Sequence, residues 1–227
     1  MKLTPVLLES AYRSGIFPMP DRFGVIRWYQ PDPRAILPLD SFHISRSLRR
    51  KLKRTVPRPP ALGASGQPRL AGQEPGAESQ EPGVSSPKPQ ASSLFEVSYD
   101  ADFTGVMRGC ADRKPTWITD EFLRGYTALH RLGKAHSVEV WQDGRLAGGT
   151  YGVHLGGAFF AESKFHTVTD ASKVALAKLV ERLNQRCFAL LEVQFLTPHL
   201  AQFGVIEIAH EEYMQRLEAA LKLQCEF

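Results

Sequence analysis

The chain has 227 residues, enough for one large domain or two small ones, and its 43% hydrophobic and 23% charged residues are typical of a globular protein. No apolar run approaches the roughly 20 residues needed to span a bilayer, and the N-terminal segment lacks a signal-peptide core, so we expect a cytoplasmic protein that does not contact a membrane. The net charge of +4 is small but unevenly distributed, because residues 43–54 (HISRSLRRKLKR) carry six positive charges and no acid.

The cysteine and histidine pattern argues against a metal site. Cys110, Cys187 and Cys225 are isolated and form no CxxC pair, and the seven histidines are scattered along the chain. We therefore expect reduced, buried cysteines and no bound metal.

A small N-terminal α/β unit is predicted over residues 1–56. Its elements are, in order, a helix at 5–15, a rigid two-proline loop at 16–21, and strands at 26–29 and 35–39. Gly15 ends the helix, and the loop is expected to expose Phe17 and Met19 on a rigid backbone.

The basic segment 43–54 is predicted to be a helix that Asp40 or Ser41 caps. Six positive charges in nine residues repel one another unless an anionic partner is present, so the helix predicts a surface that binds a polyanion. The alternative is a solvated helix end, which most charge runs are.

Residues 57–93 differ in kind from the rest of the chain. These 37 residues hold eight of the 16 prolines, five glycines and no aromatic residue. Such a segment cannot bury enough apolar surface to offset its ordering entropy, so we predict a disordered insertion in a loop or hairpin.

Residues 94–227 predict a larger domain of mixed strands and helices. The expected elements are a strand at 94–99, helices at 101–110 and from Thr119 or Asp120 to Gly133, a hairpin of strands 137–141 and 145–151 around the turn 142–144, a strand at 158–161, a long helix that includes 174–183, strands at 190–195 and 204–208, and a helix at 213–223. The resulting class is α+β, with one long helix crossing between adjacent strands, which fits an acyltransferase-like layout.

Glu162 interrupts the apolar strand that precedes the long helix. A carboxylate at the end of a buried strand needs a partner, since an unpaired buried charge is costly or shifts its pKa. We interpret Glu162 as a candidate functional acid at a pocket, and the alternative is an acid at the edge of a sheet with a nearby salt bridge.

Nine segments together resemble the bacterial leucyl/phenylalanyl-tRNA–protein transferase family. They are SGIFPMPD (14–21), WYQPDPRAIL (28–37), HISRSLRR (43–50), TWITDEF (116–122), AHSVEVW (135–141), GGTYGV (148–153), ESKF (162–165), ASK (171–173) and QFLTPHLAQFG (194–204). The resemblance covers nearly the whole chain except the insertion and the last dozen residues. It implies a transferase, monomeric and without a cofactor, that moves Leu or Phe, with Met as a further candidate, from aminoacyl-tRNA to the α-amine of proteins beginning with Arg or Lys. This reaction marks the acceptor for degradation by the N-end rule.

The resemblance also implies an acetyltransferase-like (GNAT-like) C-terminal domain and two sets of binding residues. Arg46, Arg50, Lys53 and Arg54 fall on the family's basic cluster, which contacts acceptor-stem phosphates of the tRNA. The pocket for the amino-acid side chain and the terminal adenosine would be lined by Trp117, Tyr126, Phe159 and Leu191, although Trp117 can equally belong to the core.

Three residues are the predicted catalytic group. Glu162 matches the family's acid near the ester and the amine, and Glu192 and Gln194 match an Asp-x-Gln pair that orients and deprotonates the attacking amine. An amide oxygen is a weak base, so we interpret Gln194 as a positioner, with the proton moving toward Glu192 or water. Aminolysis of an activated ester then needs mainly orientation and stabilisation of the oxyanion.

Several residues depart from the family pattern. Met19 stands in place of a tryptophan beside the substrate, Lys164 in place of a methionine at the pocket rim, and Glu192 in place of aspartate, so the donor preference stays open.

Two other functions compete with this one. A coenzyme A-dependent N-acyltransferase would need a glycine-rich loop at a helix N-terminus, whereas Gly148, Gly149 and Gly152 lie in a strand-like segment. A non-catalytic RNA-binding module would explain the basic helix but not the three polar residues gathered at an apolar pocket.

Overall fold

The computed structural model describes residues 2–59, 94–112 and 116–227. Most of the predicted insertion, residues 60–93, lies outside this range. The described helices are α1 Pro5–Arg13, α2 Arg46–Lys53, α3 Phe103–Ala111, α4 Asp120–Arg131, α5 Ala171–Gln185, α6 Pro198–Ala201 and α7 His210–Leu221. The described strands are β1 Phe17–Pro20, β2 Ile26–Tyr29, β3 Arg34–Ile36, β4 Val56–Pro57, β5 Glu96–Tyr99, β6 Ala135–Gln142, β7 Arg145–Leu155, β8 Ala158–His166, β9 Leu190–Gln194 and β10 Ile206–Ile208.

One large mixed sheet organises the described part of the chain. Its eight strands run in the order β10-β3-β9-β8-β7-β6-β5-β4, and β1 and β2 form a separate antiparallel pair. Strands β5 to β8 are antiparallel, whereas β8 and β9 are parallel and are joined by α5. The predicted α+β class is therefore confirmed, and so is the strand–helix–strand crossover on which the acyltransferase-like layout was predicted.

Helices cover both faces of this sheet. Buried residues of α1, α3, α4 and α7 belong to one hydrophobic cluster, and those of α2, α5 and α6 belong to a second. The sheet is consequently the middle of three layers, and its inner strands β6, β7 and β9 are mostly buried, whereas the edge strands β4 and β10 are largely exposed. None of the helices in the described ranges is long and apolar enough to cross a membrane.

The hairpin and the helix that follows its third strand agree with the sequence prediction. Asp143 and Gly144 have φ of 51° and 74°, the two positive angles that a type I′ turn requires between right-twisted strands. In α5, one face is buried, including Val174, Leu179 and Leu183. Local periodicity and turn chemistry were sufficient to predict both.

Several local predictions were wrong, among them the burial of all three cysteines, since Cys187 is exposed and Cys225 is partly exposed. The predicted loop at 16–21 is largely strand β1, and Phe17 is not exposed but 1% accessible, because pairing with β2 turns its ring into the core. Prolines are tolerated there because a two-stranded ribbon leaves half of its N–H groups unpaired. The basic helix is capped by Ser45, whose side chain accepts from the Leu48 N–H, and not by Asp40 or Ser41. The short helix α6 was missed.

Strands from both sides of the insertion share the large sheet. The N-terminal strand β3 lies between β9 and β10, and β4 pairs with β5. The division into residues 1–56, 57–93 and 94–227 stays a prediction, but β3 brings an N-terminal residue, Arg34, directly beside the predicted catalytic strand.

Candidate active site

A cavity of about 470 Å³ opens between β8, β9 and the N-terminal end of α5. One part of its lining is aromatic and apolar, with Phe17, Met19, Trp117, Val193 and Phe195. The other part is polar, with Glu162, Lys164, His166, Ser172, Gln194, Thr197 and His199. Such a cavity fits a ligand with an apolar side chain and a polar body.

A β-bulge directs Glu162 into this cavity. In the pairing of β7 with β8, Tyr151 faces Ser163 and Gly152 faces Ala161, so Glu162 is an extra residue with no partner across the strands. Gly152 is required beside the bulge because a Cβ there would collide with the Phe160 carbonyl and the Phe159 ring. Glu162 thus lies within a nine-residue strand, and not at the end of a short one as the sequence suggested.

Glu162 is 8% exposed and is surrounded by hydrogen-bond donors. The Tyr12 hydroxyl donates to its Oε1 over 2.6 Å, the Gln194 amide donates to the same oxygen over 3.1 Å, and the Tyr126 hydroxyl donates to Oε2 over 3.3 Å. Burial nonetheless dominates and raises the Glu162 pKa from 4.5 to about 8, against these three hydrogen bonds. The group can therefore take or release a proton near neutral pH.

Glu192 does not reach the cavity. It is 0% exposed, and its Oε1 accepts from Arg34 over 3.1 Å and from the Gln194 backbone N–H over 2.8 Å. Burial raises the Glu192 pKa, while the charge of Arg34 lowers it. Gln194 has a φ of 61°, in the left-handed region, where a residue other than glycine is strained. Glu192 accepts from the backbone N–H of Gln194 and so holds it in the conformation in which its side-chain amide donates to Glu162.

The predicted pocket residues separate into two groups. Met19, Trp117 and Lys164 line the cavity. Tyr126 is fully buried beneath Glu162 and joins the Tyr12 hydroxyl over 2.5 Å. Phe159 and Leu191 are each 1% exposed, lie in the core layer around α5, and do not line the cavity.

The predicted tRNA-binding residues form an exposed basic surface on α2. Arg46, Arg50 and Lys53 lie on the helix, and Arg54 is its C-cap. Leu48 anchors the opposite face in the core. The helix is fixed next to α5 by an ion pair of 2.5 Å between Lys51 and Asp170.

Tyr12 and Arg34 contact the predicted catalytic residues Glu162 and Glu192, and the sequence analysis placed neither of them there. Tyr12 looked like an ordinary apolar position of an amphipathic helix, and Arg34 like a residue that only precedes a strand. The sequence signal for Arg34 was its position directly before an apolar strand, because an arginine that is buried there needs an anionic partner.

Comparison with known proteins gives consistent results. A family model described as "Leucyl/phenylalanyl-tRNA protein transferase" matches residues 84–218, and a model of the N-terminal domain of the same family matches residues 1–32. Curated proteins named leucyl/phenylalanyl-tRNA–protein transferase include one from Rubrobacter xylanophilus, 44% identical over 228 residues with 100% of both chains covered. Another, from Gloeobacter violaceus, is 45% identical over 99% of this chain and 97% of its own.

Similarity to solved structures is weaker. A ribosomal-protein-alanine N-acetyltransferase from Brucella melitensis biovar Abortus 2308 aligns with a TM-score of 0.35 at 13% identity, over 48% of this chain and 84% of that one. A likeness of that size carries no argument about the site.

Proposed function

Because the chain belongs to the leucyl/phenylalanyl-tRNA protein transferase family, we propose that it transfers leucine or phenylalanine from aminoacyl-tRNA to the α-amine of an acceptor protein. The acceptors would begin with Arg or Lys, and the new N-terminal residue would mark them for degradation in the cytoplasm, where aminoacyl-tRNA is made. The observation that carries this proposal is the position of Glu162. Its carboxyl group has a pKa of about 8 and lies in the wall of a cavity whose lining is partly apolar.

The reaction exchanges an ester for an amide. The amine nitrogen attacks the ester carbonyl carbon, a C–N bond forms, the bond to the ribose O3′ breaks, and one proton passes from nitrogen to that oxygen. We assign this proton transfer to Glu162, because the carboxylate that accepts a proton from nitrogen can return it to O3′. The α-ammonium group of an acceptor protein has a pKa of about 7.7–8.0, so near pH 8 the free amine that attacks and the Glu162 carboxylate that takes its proton are both present in substantial amounts.

Gln194 serves as the positioner of the amine. Its Nε2 is committed to Glu162, which leaves the amide oxygen as an acceptor for an N–H of the attacking group. Glu192 acts one step further from the reaction, since it fixes the backbone of Gln194 and its own carboxylate is enclosed by protein. The proton therefore goes to Glu162, in place of the Glu192 or water that the sequence suggested.

The donor's side chain would lie against the apolar wall. Phe17 and Phe195 meet edge to face with centroids 5.8 Å apart, and Trp117 meets the buried Phe122 ring in the same way at 5.3 Å. A wall of aromatic edges and Met19 accepts leucine, phenylalanine or methionine by apolar contact, and one methylene more or less changes such binding by only about 1–3 kcal/mol.

A transfer assay tests the proposed function. We expect radiolabelled Leu and Phe to pass from tRNA to peptides that begin with Arg or Lys, and not to the same peptides with an acetylated N-terminus. Acetyl-coenzyme A in place of aminoacyl-tRNA should give no product. Tight tRNA binding without transfer from any aminoacyl-tRNA would contradict the proposal and favour the RNA-binding module.

Tyr12→Phe should move the pH dependence of transfer to higher pH. The Tyr12 hydroxyl donates to the ionised carboxylate and lowers the pKa of Glu162, so its loss raises that pKa. A hydrogen bond to a charged group contributes about 1.5–3 kcal/mol, so kcat/KM at pH 7 should fall roughly tenfold or more and recover at higher pH.

The matched control is Tyr213→Phe. Tyr213 is equally buried, and its hydroxyl has no hydrogen-bond partner in the part of the chain described. We expect its pH profile of kcat/KM to coincide with that of the unmodified protein. A Tyr12→Phe profile that falls uniformly, with no shift along the pH axis, would show that Tyr12 does not tune Glu162.

A further inference from the structure

The polar part of the cavity lining contains three basic side chains beside Glu162 and the neutral residues Ser172, Gln194 and Thr197. Lys164 and His166 lie two residues apart on β8, so they share one face of the strand, and His199 follows from the first turn of α6. Among the described residues that line the cavity, Glu162 is the one carboxylate. Lys164, His166 and His199 are called the cationic rim below.

The members of the cationic rim act on one another. Burial lowers the pKa of His199, and the nearby Lys164, Lys173 and His166 lower it further. Asp170 neutralises part of this charge, because it pairs with Lys173 over 2.9 Å. The charges of Lys164 and Lys173 thus reach the wall of the cavity at His199, where they would attract an anionic ligand group.

The rings of the two histidines are held in place by hydrogen bonds. The Gln202 amide donates to Nδ1 of His199 over 3.1 Å, so the proton of the neutral ring is on Nε2. His166 meets the Ser172 hydroxyl through its Nδ1 at 3.1 Å, which fixes the plane of its ring at the cavity wall. The rim thus combines charge with imidazole rings of fixed orientation.

We propose that the cationic rim binds the phosphate that links the terminal nucleoside of aminoacyl-tRNA to the preceding nucleotide. This inference rests on the proposed function, in which the ester carbonyl lies at Glu162. From Glu162 to Lys164 the strand advances about 7 Å. In the substrate only one ribose separates the ester at O3′ from the phosphate at O5′, so an ester at Glu162 brings this phosphate to the rim.

The rim is connected to the basic surface of α2. Asp170 contacts both Lys173, beside the rim, and Lys51 of α2, with distances of 2.9 and 2.5 Å. Cations therefore follow one another from the cavity to the exposed arginines of α2. The RNA strand that leads from the terminal nucleoside out of the cavity would find cations for its phosphates along this path, and the rim would be the first of these phosphate sites.

Two stable analogues test the inference by binding alone. They are 3′-(phenylalanylamino)-3′-deoxyadenosine and the same molecule with a 5′ methyl phosphate diester, measured by calorimetry at low salt. We expect the phosphodiester to bind roughly tenfold more tightly, in line with charge-assisted hydrogen bonds to one anionic group. Lys164→Met and His199→Gln should reduce this ratio towards one, and Lys164→Arg should retain the ratio.

Lys178→Gln is the control variant, since Lys178 lies on α5 but outside the cavity lining and pairs with Glu181. Its ratio should match that of the unmodified protein. Inorganic phosphate at equal concentration should not displace the uncharged analogue. Equal affinities for both analogues, in a protein that still transfers leucine from tRNA, would contradict the assignment of the rim as a phosphate site but not the proposed function. Absence of transfer from any aminoacyl-tRNA would overturn the function itself.

Discussion

Arg34→Met is expected to destabilise the protein by about 3–5 kcal/mol, because it removes one partner of a fully buried ion pair. Arg34 is 1% exposed and Glu192 is 0% exposed, and the substitution leaves the carboxylate in the interior without its cation. For a chain of this size the loss corresponds to a fall in Tm of about 6–20 °C. Thermal unfolding followed by circular dichroism would measure it.

The size of this effect reflects how many elements Arg34 connects. Its guanidinium also donates to the Gly15 carbonyl at the end of α1 and lies 4.4 Å from the centre of the Tyr213 ring on α7. The same residue therefore fixes α1, which carries Tyr12, and β9, which carries Gln194. We expect the surviving folded fraction of Arg34→Met to have lower activity as well.

The pH dependence identifies the cause of the loss. Without Arg34 the pKa of Glu192 should rise further, so in the folded state Glu192 holds a proton at pH values where the unfolded chain has lost it. Such a group contributes stability that is complete below the unfolded pKa and declines as pH rises through the folded pKa. The cost of Arg34→Met should therefore be larger at pH 8 than at pH 5.

The double variant Arg34→Met/Glu192→Gln is the control. It removes both charges and keeps an oxygen that can accept from the Gln194 N–H, so it should be more stable than the single variant. If the single variant loses less than about 1 kcal/mol of unfolding free energy, or if the double variant is no more stable than the single one, the buried ion pair is not the cause of the destabilisation.

Local signals account for the parts of the fold that were predicted from sequence. The Asp143-Gly144 turn and the buried face of α5 follow from residues that are close together in the chain, and so does the strand with Glu192 and Gln194. Phe17 was placed wrongly because the prolines on either side of Met19 were a stronger local signal than the pairing with β2, which depends on the rest of the fold.

The site itself was only half predictable. Glu162, Glu192 and Gln194 were recognisable as polar residues in apolar strands, but their roles depend on contacts that no periodicity encodes. The pairing of Arg34 with Glu192 spans 158 positions, and that of Tyr12 with Glu162 spans 150. The bulge at Glu162 is a property of the register between β7 and β8, so its direction into the cavity needed the structure.

Glu162→Gln should lower kcat/KM for transfer by about 10²–10⁴, the usual contribution of a positioned acid–base group. Glutamine keeps the size of the side chain and an oxygen acceptor, but it cannot take the amine proton or return it to O3′. The assay is transfer of leucine from Leu-tRNA to an Arg-initiated peptide across pH 6 to 9. The matched control is Glu139→Gln, a buried carboxylate outside the cavity lining, which should leave kcat/KM of the folded protein nearly unchanged. A Glu162→Gln protein with unmodified activity would contradict the assignment.

Stability distinguishes this loss of activity from misfolding. The Glu162 pKa is raised from 4.5 to about 8, so its contribution to stability is complete below pH 4.5 and declines as pH rises to about 8. Glutamine has no such decline. The variant should therefore lose less stability than the unmodified protein between pH 5 and pH 9, as chemical denaturation would show. Low activity together with better stability at alkaline pH would show that Glu162→Gln has lost a proton-transfer group and has not misfolded. The protein would then retain Glu162 for activity at a cost in stability.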